Sequence, residues 1–286
     1  MKVGMNLLFW TDMVTDEHLP VIEQMKSIGY DGVEFPLFGG EVSHYKHMGQ
    51  ALKDMGMEAT AVTVIPGADR SPISPAEKSR QGALDYLQWA IECCHALDAK
   101  VLTGPFYQPL GEFSGEPPTE DERKWAAEVH RNAAEHGAQQ AGVTLTVEAL
   151  NRFECYFLNT LDQTAEHVRR VDHPNFRAMF DTFHANIEEK DPVGALRRNL
   201  DVISHVHISE NDRGAPGTGN VAWDGVFQAL VNGGYDGWLT IEAFRRALPG
   251  LAAATRVWRE FDPPEGVYEG GHNFVRECWK KHGGRA

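Results

Sequence analysis

The sequence has only four cysteines in 286 residues, and two of them, Cys93 and Cys94, are adjacent in a predicted helix. Adjacent helical cysteines are a poor basis for a disulfide framework, which is typical of much smaller secreted chains. The first residues, MKVGMNLLFWTDM, include a short apolar run but no small-residue cleavage site, so they do not resemble a signal peptide. We therefore expect a protein of the reducing cytoplasm.

Long apolar runs and basic residues are also scarce. No segment approaches the roughly 20 apolar residues that a membrane-spanning helix needs. Lys and Arg total 27 against 41 Asp and Glu, which gives a net charge of −14 at pH 7. Such a charge repels phosphate backbones and anionic membranes. The expected partner is a small molecule, and we expect neither nucleic acid nor membrane binding.

Eight short β-rich runs alternate with helical patterns along the chain. They begin at Val3, Gly32, Met57, Lys100, Val143, Phe176, Ile203 and Trp238. Three capping-box patterns, SPAE, TEDE and TLDQ, predict helix starts at residues 74–77, 119–122 and 160–163. Gly29, Gly56 and Gly142 follow helical runs at positions where a left-handed residue ends a helix.

This alternation predicts an α/β protein with one (β/α)8 TIM barrel over residues 1–286 and a C-terminal helix. An open doubly wound sheet is the alternative fold. However, no G-x-G-x-x-G pattern follows the first strand, as it does in dinucleotide-binding sheets of that kind.

Four of the predicted strands end in a polar side chain of the metal-binding type: Glu148, Asp181, His207 and Glu242. The carboxyl ends of barrel strands form the active face, so these side chains are expected to converge from strands five to eight. Three converging carboxylates repel one another unless they share a cation or a proton. The alternative is that each is an isolated, solvated charge at a strand end.

A divalent cation is the simplest counter-charge for this group. Three carboxylates and one imidazole suit Mn²⁺, Co²⁺ or Mg²⁺, and the absence of clustered cysteines argues against a thiolate zinc site. We expect Mn²⁺ first.

Several motifs resemble those of the ketose 3-epimerase family, which includes D-tagatose, D-allulose (psicose) and L-ribulose 3-epimerases, among the xylose-isomerase-like barrels. They are VEALNRFE, FDTFHANIEE, HVHISENDRGAPGTG, IEAF and VWRE, and they begin at residues 147, 180, 205, 241 and 257. The resemblance implies metal binding by the four strand-end residues. It also implies that Glu154, His184 and Arg213 hold the carbonyl end of the substrate.

The sequence departs from its relatives at a few positions around these motifs. Ser209 and Asp212 stand where relatives often have a different loop sequence, and Ala243 replaces Pro or Ser. The metal-binding quartet is intact, so the reaction class is better defined than the sugar. A homo-oligomer, either a dimer or a tetramer, is expected.

Epimerisation at carbon 3 explains the residue types. One carboxylate must remove the proton from carbon 3 while a metal stabilises the enediolate, and a second must return a proton from the opposite face. Glu148 and Glu242 lie on non-adjacent strands and are the candidates. At the ends of strands one and four, Trp10 and Tyr107 are candidates to contact the distal carbons of the sugar, or else are packing residues.

Three other functions use similar features. An aldose–ketose or hydroxypyruvate-type isomerase uses the same metal and enediolate. A barrel endonuclease is disfavoured by the acidic net charge. A catalytically silent sugar-binding protein would not need two opposed glutamates.

Overall fold

Eight parallel strands form a closed barrel in which each strand pairs with its neighbours in sequence and the first pairs with the last. The computed structural model describes residues 1–285, apart from the side chains of residues 140 and 141. The strands are β1 (Lys2–Asn6), β2 (Gly32–Pro36), β3 (Glu58–Val62), β4 (Val101–Gly104), β5 (Thr144–Glu148), β6 (Phe176–Asp181), β7 (Ile203–Ile208) and β8 (Trp238–Ile241). All eight predicted strands are present, so the predicted barrel is confirmed.

Helices connect the strands and cover the outside of the barrel. They are α1 (Leu19–Ile28), α2 (Val42–Met55), α3 (Glu77–Leu97), α4 (Glu120–Ala141), α5 (Leu161–Val171), α6 (Thr182–Glu188), α7 (Pro192–Asn199), α8 (Trp223–Asn232), α9 (Pro249–Ala254) and α10 (Gly271–Lys281). Two helices, α6 and α7, separate β6 from β7. The short helix α9 lies between β8 and the C-terminal helix α10, where it becomes part of the site described below.

Two of the three predicted capping boxes are confirmed. The Thr119 and Thr160 side chains each accept a hydrogen bond from the backbone amide of the third helical residue, and that residue's side chain accepts one from the threonine backbone amide. The predicted box at Ser74 is wrong, because α3 begins at Glu77 after Ala76. The Ser74 hydroxyl instead accepts from the amide of Ala76, 3.2 Å away, in a turn before the helix.

The predicted glycine ends of α1, α2 and α4 are confirmed. Gly29, Gly56 and Gly142 have φ angles of 113°, 68° and 65°, the left-handed region that glycine enters without steric cost.

The strand register places polar side chains side by side in the barrel. Asn6 on β1 pairs with Glu34 on β2, and Glu34 pairs with Thr60 on β3. Across the barrel, Asp181 at the end of β6 pairs with His207 on β7. All five side chains are at least 95 % buried, so the interior carries a polar network whose hydrogen bonds must be satisfied internally.

The four cysteines are free thiols, and Cys93 and Cys94 lie on α3 as predicted. Within residues 1–285, none of the helices combines the length and the apolar character that a membrane span requires.

Candidate active site

Four metal-ligand side chains meet at the carboxyl end of the barrel. Glu148 ends β5, Asp181 ends β6, His207 lies near the end of β7, and Glu242 directly follows β8. Each offers a ligand atom within 4.8 Å of the other three, and all four side chains are buried. His207 Nδ1 lies 3.3 Å from Glu242 Oε1 and 3.7 Å from Asp181 Oδ2.

These separations suit a divalent cation. Adjacent ligands of an octahedral ion with bonds of about 2.1 Å stand roughly 3 Å apart. His207 Nδ1 and Asp181 Oδ2 are buried and have no hydrogen-bond partner among the described residues. Buried polar atoms are rarely left unpartnered, and two that face each other in an acidic cluster are suited to share an ion. The residues therefore fit a metal of the carboxylate–imidazole type.

Burial and mutual repulsion set the ionisation of the carboxylates. Burial, together with repulsion from Glu242 and Asp181, raises the pKa of Glu148 well above its usual value. Burial also disfavours ionisation of Asp181. Attraction to Arg213 and His184 outweighs that effect, so the pKa of Asp181 lies below its usual range. Burial and repulsion thus disfavour the charged form of Glu148, and a shared cation would offset this cost.

Glu34 fixes the orientation of His207 through the ring nitrogen that faces away from the other three ligands. Its Oε1 accepts a hydrogen bond from His207 Nε2 at 2.7 Å, which leaves the Nδ1 lone pair directed at Asp181 and Glu242. Glu34 also accepts from the Thr60 hydroxyl at 2.9 Å, and His205 Nε2 lies 2.9 Å from its Oε2. The hydrogen bonds from His207 and Thr60 make Glu34 a support for His207, whereas His205 Nε2, although close to Glu34, forms no hydrogen bond among the described residues.

Charge explains how Glu34 remains an acceptor in the barrel interior. Burial opposes its ionisation, but attraction to His207 and His205 keeps the pKa of Glu34 below its usual range. Glu34 is a polar residue on an otherwise apolar strand, and this is the signal in the sequence for its role as an acceptor at the floor of the site. His205 also points into the interior, as the two-residue period of β7 requires.

Arg213 enters the site from the loop after β7. Its Nη1 donates to Glu242 Oε2 at 2.6 Å and to the Ser209 hydroxyl at 2.9 Å. The guanidinium lies 3.7 Å from the ring centroid of Phe183 and 4.9 Å from that of Phe244. Arg213 has a φ of 67°, uncommon for a residue other than glycine. This conformation directs a buried cation at the carboxylates.

His184 has a donor close to each of its ring nitrogens. The backbone amide of Asn151 donates to His184 Nδ1 at 3.0 Å, and Arg213 Nη2, which can only donate, lies 3.0 Å from His184 Nε2. That nitrogen lies 3.6 Å from Glu148 Oε1. Burial lowers the pKa of His184 to about 4, which keeps the ring neutral at pH 7. His184 therefore presents a neutral ring to the site, with Nε2 between Arg213 and Glu148.

Glu154 lies on the loop after β5 and is tied to the same asparagine. Asn151 Nδ2 donates to Glu154 Oε1 at 2.7 Å. The NRFE segment thus carries Glu154 back over the mouth of the barrel, beside His184.

A cavity of about 320 Å³ opens above these residues. Glu148, Glu154, His184, Arg213 and Glu242 form its polar end. The rest of the wall is mainly apolar and comprises Leu8, Asp12, Phe38, Val62, Val64, Pro105, Leu110, Leu150, Phe244, Gly250, Leu251, Ala254 and Thr255. Several of these come from the segment around α9. A sugar-sized molecule therefore meets charge at one end and hydrocarbon at the other.

Comparison with known proteins gives the family. A family model described as a xylose isomerase-like TIM barrel matches residues 22–278. A probable ketose 3-epimerase from Synechocystis sp. is 32% identical over 98% of this chain and 97% of its own length. The chain belongs to the ketose 3-epimerase family. A ketose 3-epimerase from Arthrobacter globiformis is 30% identical, over 91% of this chain and 90% of its own.

Solved structures of family members have the same fold. An L-ribulose 3-epimerase superposes with a TM-score of 0.89 at 26% identity, over 98% of this chain and 95% of the other. A D-psicose 3-epimerase from Clostridium cellulolyticum H10, solved with D-tagatose, gives 0.88 at 26% identity, over 98% and 99% of the two chains. The resemblance stated from the sequence motifs is confirmed.

Two residues that the sequence suggested as sugar contacts lie away from the cavity in this chain. Tyr107 is fully buried, and its hydroxyl accepts from the Leu150 amide and donates to the Leu158 carbonyl, both at 3.2 Å. Trp10 packs against Phe9 and Tyr268. Neither is among the described residues that line the cavity. Tyr107 instead braces the loop that carries Glu154.

Asn6, Phe38 and Leu251 are not among the site residues predicted from the sequence. Asn6 ends β1, so the rule that selected polar residues at strand ends would have found it. Phe38 and Leu251 lie on connecting segments, where strand periodicity gives no signal.

Proposed function

We propose that this chain is a metal-dependent ketose 3-epimerase that inverts carbon 3 of a free ketohexose or ketopentose through a cis-enediolate. The observation that carries this proposal is the buried quartet of Glu148, Asp181, His207 and Glu242 beneath a sugar-sized cavity. Membership of the family makes the chain an isomerase of the carbohydrate-epimerase class.

The quartet would hold Mn²⁺, with Co²⁺ or Mg²⁺ as alternatives. A divalent cation there supplies a Lewis acid that polarises the oxygens of the ketose and stabilises negative charge in the enediolate. Glu34 keeps His207 available for this role, since it accepts a hydrogen bond from Nε2 and leaves Nδ1 free.

Glu148 and Glu242 are the two proton-transfer groups in this proposal. They reach the cavity from β5 and β8, with β6 and β7 between them, which suits attack on opposite faces of a planar enediolate. Glu242, whose carboxylate accepts from Arg213, removes the proton from carbon 3. Glu148, on the other side of the cavity, delivers a proton to the opposite face. In the reverse direction the two roles exchange.

Glu154, His184 and Arg213 would hold the carbonyl end of the ketose. His184 offers its Nε2 atom for a hydrogen bond with the substrate, and Arg213 offers a cation held between two aromatic rings. Glu154 accepts a hydroxyl proton at the rim. Together these groups fix the sugar before proton transfer, which is where much of the rate advantage of positioning originates.

The substrate in this proposal carries no phosphate. Arg213 is the one Lys or Arg among the residues that line the cavity, and Glu242 already engages it. An anionic group at the far end would meet Asp12 and hydrocarbon. A dimer or tetramer and a cytoplasmic location also remain proposals for this chain.

A product assay tests the function. The metal-loaded protein is incubated separately with D-fructose, D-tagatose and L-ribulose, and the sugars are then resolved by chromatography. The proposal requires the carbon 3 epimer of at least one of them. Aldose products would instead identify an aldose–ketose isomerase, and no conversion by folded, metal-saturated protein would favour a sugar-binding protein.

A further inference from the structure

Asn6 is a buried amide that contacts two carboxylates of the site at once. Its Nδ2 donates to Glu34 Oε1 at 3.0 Å and to Glu242 Oε1 at 3.2 Å. The side chain is fully buried at the end of β1. The amide thus lies between Glu242, which belongs to the metal-binding quartet, and Glu34, which orients His207.

The orientation of the amide is set by the backbone. Asn6 Oδ1 accepts a hydrogen bond from the Leu8 amide at 2.8 Å, in the 3₁₀ turn that follows β1. A backbone N–H is always a donor, so this contact identifies the oxygen and leaves the NH₂ group facing the carboxylates. Its two hydrogens match the two acceptors.

We propose that Asn6 is a positioning residue that fixes Glu242 relative to His207 by bridging Glu242 and Glu34. This inference rests on the proposed function for its catalytic consequence, but its effect on the metal site does not depend on which sugar is used. Asn6 is neutral, so it orients Glu242 without adding a charge to the cluster. The other partner of Glu242, Arg213, binds the opposite oxygen, Oε2. Each oxygen of Glu242 is therefore held by a different donor.

The substitution Asn6→Leu tests this role, since it keeps a similar volume and removes both donors. Thr60→Val is the matched control, because Thr60 donates to Glu34 Oε2 at 2.9 Å from the neighbouring strand β3 and gives no bond to Glu242. Each substitution removes one hydrogen bond that a carboxylate oxygen of Glu34 accepts. Only Asn6→Leu also releases Glu242.

Three measurements separate positioning from packing. Groups that orient metal ligands commonly affect metal affinity or activity by about 10–100-fold. For Asn6→Leu we expect Mn²⁺ affinity, measured by titration of metal-free protein, to fall by about tenfold or more. We expect kcat to fall by a similar factor with little change in KM. The visible spectrum of the Co²⁺-loaded protein should shift, because the carboxylate geometry changes. Thr60→Val should change all three less.

A thermal melt checks that each variant is folded. Asn6→Thr serves if Asn6→Leu does not fold, since a threonine suits a strand and keeps one donor, which cannot bridge both carboxylates. Asn6→Thr should then give losses greater than those of Thr60→Val. A Co²⁺ spectrum, Mn²⁺ affinity and kcat that match those of Thr60→Val in a folded Asn6 variant would overturn the inference. If the parent protein has no epimerase activity, the proposed function is overturned. A changed Co²⁺ spectrum in the Asn6 variant would still support the positioning role in that case.

Discussion

The two halves of the barrel contribute different chemistry to the same face. Strands β5–β8 end in the four ligand-type side chains, whereas β1–β3 contribute Asn6, Glu34 and Thr60, which contact those ligands or their partners. The connections after β1–β4 supply mainly apolar wall, such as Leu8, Phe38 and Pro105. One half therefore carries the ligand-type charges, and the other holds them in place and shapes the cavity.

Removal of the metal tests the contribution of β5–β8 as a whole and has the largest expected effect. Chelation should reduce activity to background, since Arg213, the one Lys or Arg among the residues that line the cavity, is already bound to Glu242, and Mn²⁺ or Co²⁺ should restore activity. The measurement is turnover before chelation, after it, and after metal is added back. Full activity in protein verified to be metal-free would refute the metal-dependent mechanism.

Single glutamate substitutions then separate the two faces of the substrate. Glu148→Gln and Glu242→Gln should each lower kcat by about 10²–10⁴-fold, the usual contribution of a general acid or base. With metal saturation, one variant is expected to exchange deuterium from D₂O into recovered substrate without forming the epimer. Glu166→Gln, at an exposed position on α5, is the control. Epimerisation near the parent rate in either variant contradicts the two-base assignment.

Substitution of Glu34 tests the supporting half. Glu34→Gln places an NH₂ group among donors from Asn6, Thr60 and His207, so at least one hydrogen bond is lost. We expect Mn²⁺ affinity to fall about 10–100-fold and the free energy of unfolding to fall by about 3 kcal/mol.

Metal titration and thermal melts measure the two effects of Glu34→Gln. Glu58→Gln, on the exposed start of β3, should change stability by less than about 0.5 kcal/mol. Equal effects of the two substitutions would mean that Glu34 does not support the metal site.

The apolar wall should give the smallest effect. Leu251→Ala removes part of the apolar wall of the cavity, so KM should rise by about tenfold or less while kcat changes little. Leu84→Ala, at a partly buried position on α3 away from the cavity, is the control. Steady-state kinetics measure both constants. A fall in kcat without a change in KM would place Leu251 in the chemical step instead.

The ligand positions were predictable because strand ends are a local signal. An apolar run with a terminal acid or histidine marks Glu148, Asp181, His207 and Glu242 without any knowledge of neighbouring strands. Tyr107 also follows an apolar strand, yet its side chain turns away from the cavity. The direction in which a residue just beyond a strand points depends on the loop that follows, and loop paths are set by tertiary contacts.

The sequence by itself determined the barrel and the quartet, because strand–helix alternation and polar strand ends are encoded over a few residues. Only the tertiary structure decided how Asn6 bridges Glu34 and Glu242, residues 28 and 236 positions away in the chain. It also decided which segments, such as that of Leu251, close the cavity. Closure of the barrel brings β1 beside β8, and contacts across that junction exist only once the whole sheet has formed.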